Sequence, residues 1–308
     1  MRSAAGSTPD SHSLPSDVHA LFARPLPDRL SAAALSLLPG IGPVRWRALL
    51  TRYEGDGARA AAAHGVAATV WTHVSRRAAE YLATDTEATT VLLAGDARYP
   101  RALLDLPDAP PLFWIRGHPD ALSATPTVAL VGTRDNSSAG AQVARQLVTA
   151  LRGSGVCVVS GMARGIDGVV HDAALAATLP TVAVLATGVD VPYPAQHRRL
   201  YDRIVAAGAV VSEQPPGTTA VPGAFPRRNR IIAGLADCTV VIEAGERSGA
   251  LITADVALDL GRTVAAVPGP IDQPRSIGSN ALLRDGAHVL ASVDDLLPLL
   301  RPPATSSS

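Results

Sequence analysis

From Thr127 onward, short apolar runs recur along the chain with helical stretches between them. The runs are TVALVG (127–132), VCVVSG (156–161), TVAVLATG (181–188), AVVSE (209–213), TVVIEA (239–244) and TVAAVPG (263–269). They are continuous rather than alternating, which means burial on both faces and hence parallel strands covered by helices. The intervening helices are expected to begin near Ser138, Gly165, Ala195, Arg228, Gly249 and Ile277. Repeated strand–loop–helix units of this kind predict an α/β protein with a Rossmann-like, doubly wound parallel sheet over 127–300.

Upstream the period changes. Leu35, Leu38, Trp46, Leu49 and Leu50, then Val70, Val74 and Tyr81, recur at helical spacing, predicting a small all-helical N-terminal domain over 29–83. Inside it, the run Leu35-Ser36-Leu37-Leu38-Pro39-Gly40-Ile41-Gly42-Pro43 reads as the hinge of a helix-hairpin-helix, SAM-like. Its amides suit a DNA phosphate, and a plain connection between two packed helices reads equally well. Residues 84–126 form a connecting segment with a short strand at Val91–Leu93 and the Pro-rich stretch LLDLPDAPPLFWIRG. Residues 1–28 are Ser/Pro/Asp-rich and aperiodic, and with 301–308 they read as disordered tails.

Composition narrows the class. Of 308 residues, 47% are hydrophobic and 18% charged, which excludes global disorder. The 27 basic residues, all Arg, balance 27 acidic ones, so no whole-molecule field steers the chain and any polyanion site must be a local concentration of charge. Cys157 and Cys238 sit in apolar runs and read as reduced core residues. With no signal-peptide pattern and no apolar run long enough to span a bilayer, the expectation is a soluble, cytoplasmic protein with no membrane partner. The eight His are scattered without metal-ligand spacing, so no metal or other cofactor is expected.

Ligands of an open parallel sheet bind beyond the carboxyl ends of its strands, where helix N-termini also point. Three loops there have unusual chemistry: Gly132-Thr133-Arg134 with Ser137 and Ser138 as N-cap candidates, Ser160-Gly161 through Arg164-Gly165 to Asp167, and Glu243 through Arg247 to Ser248-Gly249. Each joins small residues to free amides and to an Arg or a hydroxyl, as an anion cradle requires. A single such loop would be explained by turning and capping alone; three on one edge favour the cradle. A second cluster, Phe225-Pro226-Arg227-Arg228-Asn229-Arg230, brings three Arg to the expected start of a helix. The guanidinium fork suits phosphate, although charge runs are usually solvated faces. Arg198, Arg199 and Arg203 read as ordinary surface charges, Asp167 as a dipole-compatible residue in a helix's first turn, and His171 as a packing residue. No G-x-G-x-x-G follows the first strand, no P-loop is present, and no nucleophile–base pair stands out, so no catalytic residue is assigned.

Taken together, the motifs resemble the DNA-processing protein A (DprA/Smf) family over roughly residues 99–290. The resemblance rests on VALVGTRD (128–135), VCVVSGMARGID with His171, VAVLATGVDVPYP (182–194), SEQPPG (212–217), FPRRNRI (225–231), VVIEAGERSGALITA (240–254), VAAVPG (264–269) and GSNALLRDGA (278–287). It implies a non-catalytic recombination mediator that binds and protects single-stranded DNA, loads the RecA recombinase, notably in natural transformation, and forms a homodimer. Carried over by residue, the implied nucleic-acid-binding set is Gly132, Thr133, Arg134, Ser160, Gly161, Arg164, Gly165, Phe225, Arg227, Arg228, Asn229, Arg230, Ser248 and Gly249. Two departures stand out. Ala195 occupies the place where many members have a basic residue, so that contact either comes from Arg198 or Arg199 or is absent. The winged-helix module of some members is expected to be missing, since the sequence stops at Ser308 soon after the last motif.

With aromatics at 4%, stacking can involve few residues and base-sequence readout should be slight. A rival from another class is a nucleotide-processing enzyme like the cytokinin-activating phosphoribohydrolases. Their P-G-G-x-G-T-x-x-E signature is replaced here by GERSGALIT, which lacks the Gly pair and the acidic residue. A small-nucleotide sensor is the third reading.

Overall fold

Residues 21–23 and 25–300 are described by the computed structural model. Among the described residues, four helices from Arg29 onward precede the strands: α1 (Arg29–Ser36), α2 (Pro43–Arg52), α3 (Gly57–Ala63) and α4 (Ala68–Leu82). Strands β1 (Thr90–Leu93) and β2 (Leu112–Gly117) follow, then the alternating body. Its elements are β3 (Thr127–Val131), α5 (Ser138–Ala150), β4 (Cys157–Ser160), α6 (Ile166–Ala176), β5 (Thr181–Val184), α7 (Arg198–Ala207) and β6 (Ala209–Ser212). After these come α8 (Ala224–Leu235), β7 (Cys238–Val241), α9 (Gly249–Asp259), β8 (Thr263–Ala266), α10 (Ile277–Arg284), β9 (His288–Val289) and α11 (Leu296–Leu299).

The nine strands among the described residues join one sheet in the order β1-β2-β6-β5-β4-β3-β7-β8-β9. From β3 the chain steps outward through β4, β5 and β6, then returns along α8 to place β7 on the other side of β3. The order therefore reverses at β3, which opens a crevice beyond the ends of β3 and β7, the place where such sheets bind ligands. Strands β3 to β8 are buried almost throughout, as their unbroken apolar runs demand, with helices on both faces.

The segment 84–126, read from sequence as a connection with one short strand, contributes two strands. β1 pairs antiparallel with β2, and β2 antiparallel with β6, so the segment extends the sheet by an antiparallel edge. The helical region packs on that edge. Arg29 donates to Val91 O and to the Asp96 carboxylate, and Arg47 donates to Leu106 O. The tail expected over 1–28 is also shorter than it reads: Phe22 and Leu26 are buried, with Phe22 5.4 Å from the Trp46 ring. Asp28 caps α1 by accepting from Ser31 N–H. Residues 1–20 and 301–308 lie outside the described residues.

Two helix starts differ from the reading. The chain enters α7 at Arg198, after a short 3-10 turn at Ala195–His197. Helix α8 begins at Ala224, so Arg228 lies inside it. Left-handed Gly223 ends the preceding loop, and Pro226 sits in the first turn, where its missing N–H leaves no helical bond unmade.

His171 is fully buried on α6, with Nδ1 2.8 Å from Thr181 Oγ1. That hydroxyl already donates to Val158 O, so it accepts from Nδ1–H and leaves Nε2 unprotonated. Among the described residues Nε2 has no partner. Burial holds the imidazole down at about 3, far below its ordinary value of about 6.5. Between those values the unfolded chain takes up a proton that the folded chain does not. Stability contributed by neutral His171 is thus complete above about pH 6.5 and lost as pH falls towards 3, at about 1.4 kcal/mol per pH unit. Urea unfolding at pH 7, 5 and 4 is expected to show a shallower loss for His171→Gln than for the unsubstituted chain. Parallel profiles would contradict this account.

Candidate functional site

At the point where strand order reverses, the loops after β3 and β7 and the middle of α8 enclose a cleft of about 590 Å³. Gly132, Thr133 and Arg134 line it from β3, Arg228 and Asn229 from α8, and Ser248 and Gly249 from the start of α9. These seven come from three separate parts of the sequence assignment.

The floor is set by Arg228. Helix α8 crosses the sheet, and from its middle this side chain reaches the carboxyl ends of two strands. Nη1 donates to Gly161 O just beyond β4 and to Val184 O at the end of β5, while Nε donates to Asn229 Oδ1. Asn229 in turn donates from Nδ2 to Gly249 O, tying α8 to α9 at 2.9 Å. Burial lowers the guanidinium to about 10, with the nearby Asp167 carboxylate opposing and the Arg134 charge adding to the shift. Gly161 leaves room for it: a Cβ there would stand 2.5 Å from Nη2.

The sequence alone gives Asp167 only a helix-dipole role, and the structure corrects this. The residue is buried, lines the cleft and accepts from Ala163 N–H. Desolvation raises its carboxyl above the usual carboxylate range, against the pull of Arg228 and of that hydrogen bond. The signal in the sequence was its place one turn after a small-residue loop, which an ordinary first-turn acid shares. Arg247, Pro226, Ile252 and Thr253, which the sequence motifs contain without marking them as contacts, also line the cleft.

Other assigned residues lie elsewhere. Ser160 is fully buried and donates to Leu130 O, so its hydroxyl serves the sheet. Gly165 caps α6 at φ +81°, where a Cβ would stand 2.2 Å from the Thr133 carbonyl oxygen, a position that excludes a side chain. Arg164 and Arg227 are exposed beside the cleft rather than in it. Phe225 stands at the rim, 4.8 Å beneath the Arg134 guanidinium and 5.1 Å from the Tyr193 ring.

Arg230 is the clearest correction. Its place on α8 points it away from the cleft into a buried ion-pair cluster, 2.6 Å from Asp108 Oδ2 and 2.6 Å from Glu213 Oε2. Although desolvation opposes the charge, Glu213 and Asp108 outweigh it and hold the guanidinium above its ordinary range. Near Ala195, Arg198 and Arg199 are both exposed, and Arg198 pairs with Asp202.

A pair of substitutions separates the two kinds of arginine. Arg230→Ala strands a buried carboxylate and is expected to cost about 3 kcal/mol in urea unfolding. Arg134→Ala, at an exposed side chain, is expected to leave unfolding within about 0.5 kcal/mol of the unsubstituted chain. Equal effects would contradict the assignment of Arg230 to the framework.

The model of the family described as DNA recombination-mediator protein A matches residues 90–301. Protein Smf of Synechocystis sp. is 41% identical over 212 residues, which cover 68% of this chain and 53% of that protein. The matched segment spans about half the length of several such relatives. Among solved structures, DNA processing protein A from Streptococcus pneumoniae superposes with a TM-score of 0.77 at 33% identity, covering 89% of this chain and 96% of that one. A structure of DNA processing protein A from Helicobacter pylori, described for its single-stranded DNA binding mode, gives 0.62 at 25% identity, covering 67% and 93%. The expected Rossmann-like architecture is therefore shared with these proteins, and the chain belongs to the DNA recombination-mediator protein A family.

Proposed function

We propose that this protein is a non-catalytic recombination mediator that holds single-stranded DNA in the cleft at the β3/β7 crevice, protects it and hands it to the RecA recombinase. Natural transformation is the setting in which such hand-over would serve. The observation that carries the reading is the asymmetry of arginine use. Arg134, Arg164, Arg227 and Arg247 surround one cleft, all exposed and without an ion-pair partner among the described residues. The likeness to the Helicobacter pylori protein, whose structure concerns single-strand binding, points to the same ligand. Homodimerisation through the Rossmann-like domain and a cytoplasmic location belong to the same proposal.

A non-catalytic role agrees with how Asp167, the acidic residue that lines the cleft among the described residues, is engaged: it accepts from the Ala163 amide and holds the loop that enters α6. Glu243, outside that lining, accepts from Ser137 N–H at 2.8 Å through Oε2 and anchors the start of α5. Binding of this kind is dominated by phosphate contacts and falls steeply with salt.

Fluorescence anisotropy of labelled oligo(dT) against a duplex of equal length, at two salt concentrations, tests the proposal. A single-strand preference that weakens with salt is expected. Arg134→Ala should weaken binding by about 1–3 kcal/mol and lower the salt slope by about one contact. Single-strand binding that does not exceed duplex binding would overturn the reading. Release of free base from nucleoside monophosphates would instead establish the phosphoribohydrolase-like alternative. Stimulation of RecA filament formation on coated strands tests the hand-over itself.

A further inference from the structure

Arginines and backbone amides hold phosphate equally well on single and double strands, so something else at the cleft must sense an unpaired base. Tyr193 has the required geometry. It lies on the loop between β5 and α7, with 43% of its surface in solvent. Its ring packs against Phe225 at 5.1 Å and 49°, and its hydroxyl makes no hydrogen bond among the described residues. Phe225 is covered in turn by the Arg134 guanidinium at 4.8 Å. One phenyl ring therefore separates an exposed aromatic side chain from a cation that lines the cleft.

The surroundings define the ligand. The next residues on α8 after Phe225 are Pro226, which lines the cleft, and exposed Arg227. A π surface bordered by unpaired cations fits a molecule that carries an aromatic ring and an anion one step apart. A nucleotide of an extended strand is such a molecule, with base and phosphate joined by one sugar.

We propose that Tyr193 is a base-stacking residue: an unpaired base lies on its exposed face, Phe225 backs the ring, and Arg134 holds the adjoining phosphate. This rests on the proposed function and extends it to the feature that selects single strands, since a base inside a duplex has no free face to offer. Stacking is indifferent to base identity, so selection occurs without sequence readout.

The test compares oligo(dT) with an abasic strand of equal length and charge, using the full chain and Tyr193→Ala and Tyr193→Phe variants. The unsubstituted protein is expected to bind oligo(dT) about 5- to 150-fold more tightly than the abasic strand, the range for one stacked base. In Tyr193→Ala that preference should collapse with affinity for the abasic strand and the salt slope unchanged, while Tyr193→Phe should retain it. Quenching of 2-aminopurine placed in the strand should follow the same pattern. If the unsubstituted protein binds both strands equally, or if Tyr193→Ala keeps the preference, the stacking role is overturned while the proposed function stands. If the unsubstituted protein binds neither strand, the proposed function falls and this inference with it. Because Tyr193 is exposed, unchanged circular dichroism and urea midpoint are expected in both variants.

Discussion

The cleft depends on a buried guanidinium. Helix α8 must cross the sheet to carry the chain from β6 to β7, and where it passes β4 and β5 their last carbonyls would otherwise face a helix without partners. Arg228 meets two of them, at Gly161 and Val184, and through Asn229 reaches Gly249 at the start of α9. One side chain thereby fixes a crossover helix, two strand ends and the first turn of another helix. Unpaired buried carbonyls cost more than ordinary hydrogen bonds gain, so the arrangement is determined from several sides. Asp167 supplies the counter-charge that keeps the guanidinium from being stranded in a low-dielectric floor.

From that constraint follows a division among residues of identical type. Arg228 and Arg230 are two residues apart on one helix and so point in different directions. The first lies under the cleft and the second in the ion pairs with Asp108 and Glu213, which join α8 to the segment before β2 and the loop after β6. Arg262 closes the other end of α8 by donating to the carbonyls of Ala233, Gly234 and Ala236. With these arginines occupied by the framework, Arg134, Arg164, Arg227 and Arg247 remain at the cleft. A chain of net charge zero thus presents local positive charge, because partnering rather than count decides where the field appears.

The body of the sheet was legible because burial on both faces leaves a continuous apolar run that no solvent-exposed segment would keep. The antiparallel edge was not. Trp114 and Ile115 in β2 are fully buried, yet the run that contains them follows two prolines and has no helical partner of its own, so it reads as a connection. The cleft was legible in its loops, where small residues adjoin an Arg or a hydroxyl at strand ends. Its floor was not, because three arginines in four residues give the same text whether they face water, a ligand or backbone carbonyls. Only the path of α8 separates those fates. For the same reason Asp167 looked ordinary: the charge that gives it a role is 61 positions away in sequence, on Arg228.

These observations bear on how a strand could be both held and surrendered. On the proposed function, affinity comes from a few exposed arginines and helix-start amides on a molecule of zero net charge. Each such contact is an exchange with counterions, individually weak and quickly reversed. The rigid part of the site is the Arg228 floor, which need not move when a strand leaves. The exposed part, Arg134 with its neighbouring aromatic rings, can release one nucleotide at a time. A recipient that binds the same backbone more tightly could therefore take the strand stepwise from the rim, without any need to unfold the crevice that first received it.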